Sequence, residues 1–379
     1  MHLHKGGNLM KHSKIIIAAS LTAAMTLSTV ASVFAADGAG FDITSPGENI
    51  DMHTPLQTEA LADFTEIRDY VQGREELSAP QGVILTWGYE NEAPEAFIIR
   101  VSENEDMSDA AEYIYVPDGS SDTYEYAVLN LLLGQPYYYT ISADDNTSDV
   151  YTFSTGLIPP RNIYIENVPN VRDLGGWETE NGGHIKQGMM FRTAALFTDD
   201  ERYTTITDYG IEQMNSVMAP KTEIDVRGID DGETAGQSAS PLGDDVQYLG
   251  FPMYSPFKMK YQDRTFDEPI REVLQTMADP DNYPIIYHCA VGTDRTGFIS
   301  MLILGLCGVS QDDILRDYVF SSFAGIGTMR DDSNLASTIR STIEPYEGDT
   351  LSEKIRNFML DIGVSEEEID SIINIMTEE

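Results

Sequence analysis

Two regimes of hydrophobic patterning divide this chain. Between residues 80 and 155, apolar and aromatic side chains come in short runs at 82–87, 96–101, 113–116, 124–126 and 137–143, separated by turn residues. Runs of that length, rich in Val, Ile, Tyr and Phe, predict strands, and their spacing predicts an all-β sandwich. From residue 162 onward, short apolar runs alternate with longer segments of helical period, the pattern of an α/β layer architecture. Residues 222–226, 246–251 and 283–287 predict strands; residues 267–277, 298–306, 311–323, 352–362 and 365–376 predict helices. The last opens on Ser365-Glu366-Glu367-Glu368, a serine N-cap with a glutamate three residues on and acids in the first turn. Ile158-Pro159-Pro160-Arg161 breaks the β pattern and marks a boundary.

Ahead of the strands, Lys11 and Lys14 precede a mostly apolar, small-residue stretch over 15–33, and Val33-Phe34-Ala35 suits cleavage before Ala36. These features predict a signal peptide over residues 1–35 and a secreted or cell-surface location, with no membrane span left after its removal. An uncleaved anchor is the alternative, because the stretch approaches spanning length. Residues 36–78 are polar and acidic and predict a linker, with Leu61, Phe64, Ile67 and Val71 at helical spacing over 59–76. The domain plan is then a sandwich over 79–157 and an α/β domain over 160–379. Leu131, Gly134, Tyr137 and Ala143 resemble the tyrosine-corner spacing of fibronectin type III modules, and Trp87 stands where those modules place a core tryptophan. That resemblance implies a spacer or a docking module, and no exposed binding constellation names a partner for it.

Charge narrows the function. The chain has 23 basic and 63 acidic residues, a formal net charge of −40. Such acidity argues against general nucleic-acid or anionic-membrane binding, which depend on basic surfaces. Any attraction for an anion has to be local. Only two cysteines occur, Cys289 and Cys307, so disulfides do not staple this fold. Cys307 lies inside an apolar run and reads as packing.

Cys289 reads differently. It opens His288-Cys289-Ala290-Val291-Gly292-Thr293-Asp294-Arg295-Thr296-Gly297, between the apolar runs 283–287 and 298–306. A strand, a tight loop and a helix N-terminus form an anion trap, because successive N–H groups point inward and the helix dipole adds positive charge. A cysteine at its mouth favours the thiolate. Arg295 offers a planar fork for two oxygens of one phosphate. An exposed thiolate in an oxidising place is at risk of oxidation.

With these residues in view, residues 162–379 resemble the cysteine-based protein-tyrosine phosphatase superfamily, in its bacterial branch with an HCxxGxDRTG loop. The supporting segments are Asn170-Val171-Arg172-Asp173-Leu174-Gly175-Gly176, Phe191-Arg192-Thr193-Ala194-Ala195-Leu196 and Asp317-Tyr318-Val319-Phe320-Ser321. The resemblance implies attack by Cys289 on phosphorus, a cysteinyl-phosphate intermediate, and phosphate held by Arg295 and the backbone of Ala290, Val291, Gly292, Thr293 and Asp294. It implies supporting roles for His288 and Thr296, a phosphorylated protein or small phosphomonoester as substrate, and no metal or organic cofactor. Asp294 is the favoured general acid; Asp263 and Asp267 are the rivals. Where the branch usually carries lysine just before that aspartate, this chain has Thr293. The change weakens an inositol-phosphate or phosphoinositide reading, unless Lys258, Lys260 and Arg264 stand in. Arg172–Asp173 and Asp225–Arg227 read as structural ion pairs. A catalytically idle phosphate-binding or adhesion module is the remaining alternative.

Overall fold

The structure is a computed structural model of the chain. It describes residues 15–16, 40–71, 75–198, 205–228, 237–262, 264–325 and 329–378. The predicted signal peptide therefore falls almost wholly outside the described residues, and so does Asp263. Two compact units emerge: Met1–Ile50, Val83–Val128 and Gly134–Gly156 form one, and Asp51–Gly82, Leu129–Leu133 and Leu157–Glu379 form the other.

The first unit is β-rich. Phe41–Thr44, Val83–Tyr89 and Tyr124–Val128 make an antiparallel three-stranded sheet. Ala111–Tyr115, Phe97–Ser102 and Pro136–Ala143 make a second antiparallel run, extended by Asn146–Thr147 and Tyr151–Ser154 and joined at its edge by the parallel pair Ile15–Ile16. Alternate residues Val83, Leu85 and Trp87 are buried, as are Phe97, Ile99 and Val101, the period-two pattern of strands with one covered face. Trp87 meets Phe97 and Tyr115 edge-on, with ring centroids 5.3 and 5.5 Å away, so the two sheets share an aromatic core.

Described parts of the stretch predicted as linker form regular elements. Phe41–Thr44 pairs with Val83–Tyr89, and residues 51–82 belong to the second unit. The helix expected over 59–76 is instead Pro55–Ala62, a turn at Phe64–Glu66 and a short helix Ile67–Tyr70. Thr54 sets the start: its hydroxyl accepts from Gln57 N, the Gln57 side chain accepts from Thr54 N, and Pro55 follows the cap. Asp63, at φ −126° and ψ 53°, ends the first helix. Phe64, Ile67 and Val71 nevertheless bury themselves in the larger core and Leu61 packs against it partly buried; their spacing recorded burial rather than one continuous helix.

The second unit is built on a six-stranded sheet in the order Arg161–Asn162, Arg172–Asp173, Met190–Thr193, Ile285–His288, Thr222–Asp225, Gln247–Gly250. Its last four strands are parallel and the first two antiparallel. Helices include Asp208–Val217, Asp267–Met277, Asp294–Leu306, Gln311–Phe320, Leu351–Asp361 and Glu366–Met376. The Ser365–Glu368 capping box forms as expected. The helix predicted over 311–323 changes to a 3-10 turn at Ser321–Ala324. Among the described residues no helix is long and apolar enough to cross a membrane.

Candidate active site

Strand register assembles the site. Ile285–His288 lies between Met190–Thr193 and Thr222–Asp225, and His288 stands level with Thr193 on one side and Asp225 on the other. All three strands are parallel, so their carboxyl ends deliver Cys289, Ala194 and Val226 to the same edge, where open α/β sheets bind ligands. After Cys289 the chain turns through Gly292 and enters the helix Asp294–Leu306. Gly292 has φ +68°, and a Cβ there would lie 2.2 Å from Thr193 O. Both the left-handed backbone and the close approach require glycine.

A cavity of about 120 Å³ opens above the loop, lined by Ser255, Cys289, Val291, Asp294 and Arg295. Two larger cavities, of about 410 and 310 Å³, lie elsewhere on the second unit and include neither cysteine. The loop carbonyls are bonded one after another. His288 O accepts from Val226 N at 2.9 Å and Ala290 O from Ala195 N at 3.2 Å. Cys289 O lies 3.3 Å from His288 Nδ1, and Val291 O accepts from Asn170 Nδ2 at 2.8 Å. Gly292 O accepts from an Arg192 guanidinium nitrogen at 2.8 Å, and Thr293 O from Gly297 N at 2.8 Å. In a planar trans peptide the N–H points opposite to the carbonyl. Fixing this ring of carbonyls outward turns the amides of residues 290–294 toward the cavity.

The electrostatics separate the two cysteines. Burial opposes ionisation of Cys289 most strongly, yet the Arg295 guanidinium and the Thr296 hydroxyl and amide outweigh it and lower its pKa. Thr296 Oγ1 is buried without a hydrogen bond of good geometry, which leaves that hydroxyl for the sulfur anion. Cys307 has burial alone, which pushes it up to about 12. His288 is fully buried; desolvation works against its charge, but Asp225 and Glu223 prevail and raise its pKa. Its Nε2 lies 2.9 Å from Glu223 Oε1 and its Nδ1 3.3 Å from Cys289 O, so the ring bridges Glu223 and the loop backbone. Burial works against the Asp225 carboxylate, but His288 and Arg227 hold its pKa down at about 2. The Arg227 fork clasps Asp225 at 2.6–2.9 Å, the ion pair expected from sequence.

Other expectations need correction. Arg172 and Asp173 do not pair with each other, because neighbours on a strand face opposite ways. Arg172 bonds Asp317 Oδ1 at 3.2 Å and Asn170, whereas Asp173 pairs with Arg161 at 2.8 Å. Asp294 lines the cavity, but both its oxygens accept from Arg330 at 2.9 and 2.8 Å, and Tyr318 OH donates to one of them at 3.0 Å. Asp267 sits at its helix N-terminus, bound to Arg264 at 3.1 Å, and is not among the cavity-lining residues. Arg264 also binds Asp361 at 3.0 Å, so it is no spare cation for a second phosphate. Sequence reasoning missed Ser255, Arg330, and the meeting of the buried Arg172, Arg192 and Asp317. The last three stood inside the quoted family segments, but nothing in their spacing said that they meet. Among the described residues no group of three or more His, Cys, Asp or Glu is placed to hold a metal.

The family model described as "Tyrosine phosphatase family" matches residues 163–378. A Cupriavidus necator protein bearing a provisional tyrosine-protein phosphatase name is 26% identical over 181 residues, 42% of this chain and 63% of its own. A tyrosine-protein phosphatase of Nostoc commune is 32% identical over 75 residues, 20% of this chain and 26% of its own. The chain thus spans less than two thirds of either relative. Among solved structures, the core catalytic domain of the PP-IP phosphatase Siw14 from S. cerevisiae, in complex with citrate, is 14% identical with a TM-score of 0.29, covering 48% of this chain and 96% of that one. A second structure of the Siw14 catalytic core covers 43% of this chain and 94% of its own, at 13% identity and a TM-score of 0.26. Over more than half its length, the chain belongs to the tyrosine phosphatase family, the cysteine-dependent phosphatases.

Proposed function

We propose that this protein is an exported phosphatase that hydrolyses phosphotyrosine or related phosphomonoesters through a cysteinyl-phosphate intermediate. The observation that carries the reading is Cys289: a buried thiol with a lowered pKa in a cavity that also presents Arg295. The Cys289 thiolate attacks phosphorus, the S–P bond forms and the bond to the leaving oxygen breaks. Arg295 and the inward amides of 290–294 stabilise the equatorial oxygens as charge shifts among them. Asp294 protonates the leaving oxygen; it is the candidate acid that lines the cavity. To donate, it must first release one of its bonds to Arg330. Water then attacks phosphorus, the thiolate departs, and the water proton returns to Asp294.

Polyphosphorylated inositol substrates fit less well. Arg264 and Arg330 are both held by carboxylates, and Thr293 replaces the branch's lysine. Export rests on the Lys11–Ala36 pattern alone. For the β-rich unit we favour a fibronectin type III-like scaffold. Supporting this are its three-stranded sheet facing a second sheet and the buried Trp87 and Tyr137.

Cys289→Ser is expected to abolish turnover of an aryl phosphate while phosphate binding persists. A wild-type panel of phosphotyrosine peptide, phosphoserine peptide, phosphoinositides and phytate is expected to rank phosphotyrosine first. Normal turnover by the serine variant contradicts the mechanism; a preference for phytate or phosphoinositides contradicts the substrate.

A further inference from the structure

The loop's aim depends on its outward carbonyls, and the most demanding one belongs to Gly292. A peptide beside a left-handed glycine meets little steric resistance to swinging over. Swinging the Gly292–Thr293 peptide would turn the Thr293 N–H out of the cavity and its carbonyl in. Something must hold it. Arg192 is the donor at that point: one guanidinium nitrogen reaches Gly292 O at 2.8 Å and Thr293 O at 3.4 Å. The other terminal nitrogen bonds Asp317 Oδ2, so the fork is braced from behind.

Arg192 does not line the cavity. It is wholly buried on the strand beside the loop strand, in register with Tyr287. Its burial is a poor way to gain stability. Arg172 and Arg192 share the single carboxylate of Asp317, and Arg192 Nε has no partner. Buried ionic groups are often matched or surpassed in stability by apolar residues of similar volume. A planar fork with an unsatisfied donor, kept where an aliphatic chain would pack, points to a task other than stability.

We propose that Arg192 is a positioning residue for phosphoryl transfer, pinning the Gly292 and Thr293 carbonyls outward so that the Thr293 and Asp294 amides face the bound phosphoryl oxygens. This rests on the reading of the loop as a phosphate site.

The test uses the full chain, with orthovanadate as a competitive probe of the cradle against an aryl phosphate. Iodoacetamide alkylation of Cys289 across pH probes the thiolate. In Arg192→Met and Arg192→Lys, vanadate inhibition is expected to weaken roughly tenfold to a hundredfold, the range for losing hydrogen bonds made by a charged group. kcat/KM should fall in parallel. The alkylation profile should move little, because Arg295 and Thr296 set the thiolate. Lysine keeps the charge but replaces the fixed two-nitrogen fork between Asp317 and the carbonyl by one nitrogen, so it is expected to restore vanadate affinity at most in part. Met214→Ala, in a separate buried cluster, is the control for a matched loss of melting temperature and should keep vanadate affinity per folded molecule. If Arg192→Met does not fold, the lysine variant decides. Vanadate affinity per folded molecule equal to wild type in the lysine variant overturns the proposal, as does a loss that Met214→Ala shares. A wild-type protein that neither turns over aryl phosphate nor binds vanadate removes the phosphate-site reading itself, and this proposal with it.

Discussion

At the scale of single residues, environment rather than identity assigns the chemistry. Cys289 and Cys307 are both buried, yet the pKa of the first is lowered and that of the second is pushed up to about 12. The difference is Arg295 and Thr296, both supplied by the first turn of one helix. Asp294 shares that turn, and its bonds to Arg330 and Tyr318 define a prediction. Asp294→Asn should slow alkyl phosphates by roughly 10²–10⁴, the usual worth of a positioned proton donor. Activated aryl phosphates, whose leaving group needs no proton, should slow by less than about tenfold. Steady-state kinetics on the two substrates decide; an equal effect on both assigns Asp294 to holding Arg330. The sequence made Cys289, Arg295 and Asp294 legible because they lie within six positions. Arg172, Arg192 and Asp317 were not, because their meeting depends on strand pairing and on a helix more than a hundred residues away.

At the scale of elements, the loop works because a strand, a turn and a helix are locked in one register. Gly292 is the joint. Gly292→Ala should destabilise the second unit by roughly 1–2 kcal/mol from the left-handed backbone alone. The clash with Thr193 O comes on top of this. Vanadate binding should fall further than stability does, since relief of the clash separates the loop from the strand that caps its carbonyls. Thermal melts read beside vanadate titration check this; an alanine variant with native melting and native inhibition would mean that the neighbouring strand can yield. Elements with strong local signals were legible: the helix Asp267–Met277 has the predicted bounds, and Ser365 caps Glu366–Met376 as its box demands. Residues 36–78 were misread for a physical reason. Polar composition suggested linker, but Phe41 and Ile67 find partners in strands and helices distant in sequence, and composition carries no record of such partners.

At the scale of the whole molecule, a charge of −40 surrounds a buried network that depends on ionisation, and the two respond to pH in opposite directions. Asp225 has its pKa depressed from 3.8 to about 2, so its contribution is present above about pH 4 and disappears as pH falls toward 2. At roughly 1.4 kcal/mol per pH unit, that contribution is about 2 kcal/mol. His288 is raised above 6.5, so its contribution is complete below that value and is lost as pH climbs through the folded-state pKa. Between those limits both are intact. The surface carboxylates are already ionised by about pH 6, and their mutual repulsion works against the compact state across the whole neutral range. The second unit should therefore melt at its highest temperature on the acid side of neutrality, between about pH 4 and 6.5. Raising ionic strength to about 0.15 M should raise the melting temperature at pH 6 and pH 8 alike and leave the difference between them, because salt screens surface repulsion but barely reaches a buried pair. Melting curves over this grid of pH and salt are the measurement. A melting temperature that rises steadily from pH 6 to pH 8 contradicts the assigned charge of His288. A pH 8 loss wholly reversed by salt places the cause in the surface charge alone.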